Sequence, residues 1–350
     1  MHFGLSEEQA MLREAVRGFL GELPSARDVL EGASPRDPGT WTRVVQEQGW
    51  QAIVIPEDLG GLGMGWMDLA VVFEELGRTL APTSMLETAL ATAALLQASP
   101  SPAKDAALSQ LAEGLPGALG LGTGVIALEI GDGWLLNGAV SAVVGGEQAQ
   151  VLVLETNDGF FLVPPGESER LSQETLDVTR PVATVSVNGL TLQPGFRLEG
   201  ATADAVHARC EILVAAEAVG AAEACLDLSV EYAKTRHQFD KPIGSFQAIQ
   251  HKCADMMVAV ESARSATWYA AWALDSQAED ARLAARTAKA LATDTLSMCA
   301  GESIQIHGGI GFTWEHDAHL YFKRARGSLE LLGTPRTHRA AVAEHLLGAL

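Results

Sequence analysis

Two stretches of this chain combine residue types that can hold a charged ligand. The first runs from Arg236 to Gln247 and reads RHQFDKPIGSFQ. It sets a fixed cation, Arg236, an aromatic, Phe239, a Pro-Ile-Gly turn, a second aromatic, Phe246, and an amide, Gln247, between two helix-forming segments. A guanidinium beside an amide at a helix end suits a phosphate or pyrophosphate. The plain alternative is an interhelical loop with a Pro-Gly turn. The second stretch, Gln305 to His316, reads QIHGGIGFTWEH. There a helix runs into Gly308 and Gly309, which permit close backbone approach to a ligand and serve equally as a common C-cap. His307, His316 and His319 lie close in sequence without the carboxylate or thiolate set of a metal site, so no metal is expected. Met256, Met257 and the aromatics from Trp268 to Trp272 read as core or subunit contact. The run Lys323-Arg324-Ala325-Arg326 reads as a solvated helix face.

The elements that must position these stretches fall into three zones, expected at 1–114, 115–203 and 204–350. The first is helical. Ser6 and Gln9 have capping-box spacing, and Leu12, Val16, Phe19 and Leu20 follow at helical period. Further helices are expected at about 40–48, 67–79, 85–97 and 103–113, with an irregular glycine-rich stretch from Pro56 to Gly63. The second zone alternates short Val/Leu-rich runs (Val125–Ile130, Trp134–Leu136, Val151–Leu154, Phe160–Val163, Val182–Val187) with Gly, Asn and Asp. Asn157-Asp158-Gly159 and Asn188-Gly189 read as hairpin turns, giving a small antiparallel β domain. The third zone holds no proline between Pro242 and Pro335. Four long helices fit, at about 204–235, 245–275, 279–307 and 316–331, with a last one from about 335. The fold class is α+β: a helical domain, a small β domain and a C-terminal four-helix-type bundle.

Composition limits the function. Over 350 residues the formal net charge is −20, which argues against nucleic acid and against an anionic membrane surface. Hydrophobic residues make up 47% and charged residues 19%, enough for a large core and too apolar for disorder. The four cysteines form no CxxC pair, so reduced, mostly buried thiols and a cytoplasmic setting are expected. Neither a signal peptide nor a run of about 18 apolar residues is present, so no membrane span is expected.

Taken together, the two stretches resemble the acyl-CoA dehydrogenase superfamily of flavoproteins. Arg236, Phe239, Ile243, Phe246 and Gln247 fill its R-x-x-F-x-x-x-I-x-x-F-Q pattern. Gln305, Gly308, Gly309, Gly311, Phe312 and Glu315 fill its Q-x-x-G-G-x-G-(F/Y)-x-x-E pattern. The openings LSEEQAMLREAVRGFL and IPEDLGGLGMGWMDLAVVFEELGR match as well. The resemblance covers almost the whole chain and implies the family fold, an acyl-CoA thioester substrate, FAD as cofactor and electron-transfer flavoprotein as acceptor. In such enzymes a carboxylate removes the α-proton while FAD takes the β-hydride. The resemblance assigns Arg236, Phe239, Phe246, Gln247, Gln305, Gly308 and Gly309 to the FAD of a neighbouring subunit, and Gly333-Thr334 to a flavin edge.

The departures from that pattern carry as much information. The usual catalytic glutamate directly precedes the Gly-Thr pair, and here that position is Leu332. Glu330, two residues earlier, lies about 200° round a helix. In the alternative base slot stands Cys210. Its neighbour Glu211 is the remaining candidate base, with an ion pair to Arg209 or a subunit contact as its plain reading. The region Leu119–Ile130 lacks the Thr-Glu-Pro-x-x-Gly-Ser-Asp strand that contacts the flavin ring, and Val143-Val144-Gly145-Gly146 replaces the Thr/Ser pair at the pyrimidine. This combination is similar to the base-lacking chains of bacterial α2β2 acyl-CoA dehydrogenases of fatty-acid or steroid catabolism. The expectation is therefore a subunit completed by a homologous partner. A self-sufficient homo-oligomer using Glu211, and a non-catalytic scaffold or thioester-binding member, remain the alternatives.

Overall fold

The computed structural model describes residues 4–348. The helical N-terminal segment comprises α1 (Glu7–Leu20), α2 (Ala26–Leu30), α3 (Pro38–Arg43), α4 (Trp66–Thr79), α5 (Met85–Leu96) and α6 (Pro102–Ala112). A six-stranded sheet follows: β1 (Gly117–Ile130), β2 (Gly133–Val144), β3 (Val151–Thr156), β4 (Gly159–Val163), β5 (Glu169–Gln173) and β6 (Val182–Leu192). The C-terminal bundle is α7 (Ala203–Thr235), a two-residue ladder of β7 (His237–Gln238) and β8 (Lys241–Pro242), α8 (Gln247–Asp275), α9 (Ala281–His307), α10 (Ala318–Glu330) and α11 (Pro335–Leu347). None of the described helices is long and apolar enough to cross a membrane.

Contacts divide the chain into two compact units. One contains the chain up to Glu31, Trp66–Ala81 and everything from Glu211 on; the other contains Gly32–Gly65 and Pro82–Cys210.

In the first unit Ser6 and Gln9 close the expected capping box at the start of α1. Helices α4 and α7 cross at bare backbone. A Cβ on Gly77 would lie 1.9 Å from the Glu217 carbonyl oxygen, and one on Gly220 would lie 1.7 Å from that of Glu74. Only glycine permits that approach. The crossing carries buried charge, and each charge is paired, as desolvation requires. Arg17 grips Glu75 at 2.9 and 2.8 Å. Arg78 donates to Glu223 at 2.9 Å, and Arg324 donates to Glu217 at 2.7 Å. Arg264 lies 3.3 Å from Glu74, whose other carboxylate oxygen takes the Trp268 indole N–H. Burial pushes Glu74 up to about 7, with Arg264 and Trp268 opposing it. Arg324 thus lies in the core, not on the solvated face expected for its basic run. Burial likewise pushes the Cys225 thiol up and the Cys299 thiol to about 12, which leaves both unreactive.

In the second unit the strand order is β4-β3-β1-β2-β6-β5. The sheet is mostly antiparallel, but β1 and β3 pair in parallel. Two turn expectations resolve differently. Asn157-Asp158-Gly159 does turn β3 into β4. Asn188-Gly189 instead lies inside β6, where Gly189 has φ +67° and donates its N–H to Asn137 Oδ1 at 2.7 Å. The pairing with β2 shifts register there, which makes the Asn-Gly a bulge. The polar edge strand β5, ERLSQ, shows no alternation and escaped the sequence reading. Helix α5 packs on β1. At its base Glu87 pairs with Arg36 at 2.5 Å, both side chains buried, and a Cβ on Gly145 would meet the Glu87 side chain at 2.5 Å.

Candidate functional site

The Arg236 stretch is a hairpin set on the end of α7. Arg236 N–H donates to the Tyr232 carbonyl and Ile243 N–H to the Arg236 carbonyl, both at 2.8 Å. The residues at its tip, Phe239 and Asp240, have φ of +55° and +60°. A two-residue turn with both φ positive suits the twist of a hairpin but normally takes Asn-Gly. Here the turn spends about 1 kcal/mol per residue to hold an aromatic in left-handed backbone, and that aromatic is 85% exposed. Phe246 stacks edge-on against Phe239, ring centroids 6.1 Å apart, and Lys241 Nζ lies 4.3 Å over the Phe246 ring. Arg236, at the end of α7, and Gln247, at the start of α8, are both exposed.

The Gln305 stretch caps α9. Gly308 has φ +63°, and a Cβ at Gly308 or Gly309 would meet nothing within 4 Å. Both glycines therefore present open backbone, with exposed Gln305 one turn before them and exposed Phe312 and Trp314 after them. Gly311 faces inward, 3.0 Å from the Ile304 carbonyl oxygen at its would-be Cβ. The two stretches are joined through aromatic rings. Tyr232, one turn before Arg236, stacks on His307 at 4.4 Å, and His307 stacks on His316 at 4.1 Å. His307 Nδ1 donates to the Ser303 carbonyl at 2.7 Å, and His316 Nδ1 accepts the Ala318 N–H at 3.1 Å. Burial holds both imidazoles below their ordinary pKa; His316 adds to the effect on His307, and Arg27 adds to the effect on His316. A salt bridge from Lys252 to Glu302 ties α8 to α9. The structure thus brings Arg236, Phe239, Phe246, Gln247, Gln305, Gly308 and Gly309 to neighbouring loops of one unit.

The third part lies between α10 and α11. Leu332 and Gly333 have φ of +64° and +95°, and Thr334 caps α11 by accepting the Thr337 N–H at 3.2 Å. No carboxylate stands at Leu332. Behind this turn is a polar cluster of which sequence reasoning found only Glu211. Lys289, completely buried, donates to the carbonyls of Ser328 at 3.1 Å and Gly333 at 3.0 Å. Glu211, 1% exposed, pairs with Arg282, and its other oxygen lies 3.9 Å from His338 Nδ1. Burial, with Lys289 and Arg282 nearby, presses His338 down to about 4. Glu211 forms an ion pair with Arg282, a residue 71 positions later that local spacing could not reveal.

In the second unit β1 passes through the stretch Leu119–Ile130 as a strand with a bulge, its pairing to β3 shifting register between Gly120 and Val125. Gly122, φ +112°, gives its N–H to Glu155 at 2.8 Å, and Glu155 lies 3.2 Å from His207.

Comparison with known proteins decides what these parts belong to. The model for the acyl-CoA dehydrogenase N-terminal domain matches residues 6–115, and that for the C-terminal domain matches residues 206–347. Acyl-CoA dehydrogenase IpdE2 of Mycolicibacterium smegmatis is 39% identical over 335 residues, covering 95% of this chain and 96% of that protein. This chain belongs to the acyl-CoA dehydrogenase family. Membership makes it an FAD-dependent oxidoreductase acting on acyl-CoA. Acyl-CoA dehydrogenase FadE34 of Mycobacterium tuberculosis is 34% identical over 94% of this chain, which spans only 46% of FadE34. Among solved structures, the ChsE4-ChsE5 complex from Mycobacterium tuberculosis superposes with a TM-score of 0.89 at 26% identity, covering 99% of both chains. Acyl-CoA dehydrogenase relatives thus include an assembly of two differently named chains and a protein with room for a second unit of this size.

Proposed function

We propose that this chain is the base-lacking subunit of a heteromeric acyl-CoA dehydrogenase, and that it supplies one half of an FAD site completed by a homologous chain. The observation that carries this reading is the contrast within the molecule. The loops around Phe239 and Gly308 are built open and outward, while the turn that should carry the base presents Leu332. Bound FAD would supply the acceptor for the β-hydride of the thioester. The residues here serve it by holding and orienting. Arg236 offers a fixed cation to the diphosphate, with Gln247 beside it as a hydrogen-bond donor. Phe239 supplies an apolar face. Gly308 and Gly309 let the backbone approach without a side chain intervening, with Gln305 beside them.

The ring side does not fit in the same way. The Gly122 N–H is already taken by Glu155, and the stretch Leu119–Ile130 holds no Thr-Glu pair. Leu332 has no proton-accepting group, and the carboxylate of Glu211 is enclosed and held by Arg282, out of hydrogen-bond reach of any solvent-borne substrate. Both features support a base and a ring-contacting strand that come from the partner. Gly333 and Thr334 are assigned to the vestige of a flavin edge. The partner class is a homologous chain, the substrate an acyl-CoA thioester, and the acceptor electron-transfer flavoprotein. The test is to purify the chain alone and together with a homologue that carries the glutamate before its Gly-Thr pair. The pair should be yellow and desaturate acyl-CoA, and the lone chain should do neither. A yellow, fully active lone chain would overturn the reading.

A further inference from the structure

Arg170 departs from the way this acidic chain treats its inward-pointing arginines. Arg36, Arg264, Arg282 and Arg324 each meet a carboxylate. Arg170, on edge strand β5, is half-buried, and no carboxylate lies within ion-pair reach of it among the described residues. Its guanidinium is nevertheless fixed. Nε donates to Ser168 Oγ at 3.1 Å, and Nη1 donates to the Ala149 carbonyl. Those two bonds leave Nη2 as a free donor. Burial holds the group below the ordinary arginine pKa, with no neighbouring acid to offset it. A desolvated cation is costly unless something neutralises it.

What Arg170 borders is a cavity of about 330 Å³, lined also by Gln110, Gln150, Ser168, Leu115 and Gly166. The volume is at the small end of ligand pockets, and an apolar wall with a few converging polar groups is their usual make-up. Its other polar lining residues, two glutamines and a serine, are neutral and can donate, and no acid lines the cavity. That donor set matches an oxyanion.

We propose that the cavity at Arg170 is a binding site for the oxyanion of a compact metabolite, a carboxylate or a phosphate, which supplies the counter-charge the fold withholds. The site lies wholly in the second unit and shares no residue with the flavin half-site, so its test does not depend on whether this chain needs a partner. Titration calorimetry in chloride-free buffer with inorganic phosphate and, separately, with succinate tests it and separates the two chemistries. One equivalent of one anion should bind with a Kd below about 1 mM, and Arg170→Gln should weaken it by about 10- to 100-fold, the range for a charged hydrogen-bond partner. No binding of either anion up to about 10 mM, or equal binding by Arg170→Gln, overturns the proposal. Labelling of wild-type Arg170 by phenylglyoxal, read by peptide mass, needs no variant: the binding anion should slow it, and an unchanged rate with both anions overturns the proposal as well.

Discussion

Replacing Glu211 by glutamine separates the two roles this residue could have. Its carboxylate is 1% exposed, holds Arg282, and lies 3.9 Å from His338. Neutralising one partner of a buried ion pair costs about 3–5 kcal/mol, because the other charge is left uncompensated. The Arg282 side chain is 25% exposed, so water recovers part of that loss, and about 2–3 kcal/mol is expected. A unit of 150–250 residues loses about 2–4 °C for each kcal/mol, so the melting temperature of the helical unit should fall by about 4–12 °C. Circular dichroism at 222 nm follows the melt. Turnover of the complex with its partner is then measured well below the new midpoint. It should stay within about threefold of wild type, less than 1 kcal/mol of activation free energy. A general base contributes about 10²–10⁴-fold. A loss of that size at an unchanged melting temperature would instead make Glu211 the base, in a buried pair that opens to substrate.

Gly220→Ala should be among the most damaging substitutions in the chain. The added methyl would lie 1.7 Å from the Glu74 carbonyl oxygen, so the cost should reach or exceed the top of the about 1–3 kcal/mol overpacking range, read as a lowered urea midpoint or loss of soluble protein. His338 and Glu74 should tilt the pH dependence of stability in opposite directions. The folded pKa of His338 is depressed to about 4, so the unfolded chain binds the extra proton between about 4 and 6.5 and stability is lost as pH falls through that window. The folded pKa of Glu74 is raised to about 7, so stability is lost as pH rises from about 4.5 to 7. Denaturant midpoints against pH should therefore lose their acid-side fall in His338→Asn and their neutral-side fall in Glu74→Gln; unchanged profiles would contradict both assignments. Leu332→Glu restores a carboxylate at the usual position, yet the lone variant should remain colourless and inactive, because the stretch from Leu119 to Ile130 still lacks the ring-contacting residues. Flavin binding and turnover by that lone variant would refute this.

Much of the fold was legible because helical period and proline spacing act locally. The expected ends of the long bundle helices fall within about three residues of α7 to α11. Strand β5 was not legible, since an exposed polar edge has no alternation to read. The Asn188-Gly189 bulge was misread because the dipeptide's taste for positive φ is the same in a hairpin and in a bulge. At the site, the open glycines and the outward Phe239 follow from motifs that lie within a dozen residues. The cluster of Lys289, Arg282, Glu211 and His338 draws on three helices. Its charged residues sit on Ala-rich faces where sequence suggests only packing, and nothing short of the tertiary contacts reveals them. The same holds for Arg324 against Glu217, 107 residues apart.

If this chain carries half of an FAD site, flavin stoichiometry in the purified pair follows from it. Released FAD, quantified by absorbance against total protein of each chain, should come to one FAD per pair of unlike chains, and the lone chain should hold none. Two FAD per pair, or one FAD per chain in the isolated protein, would contradict the account.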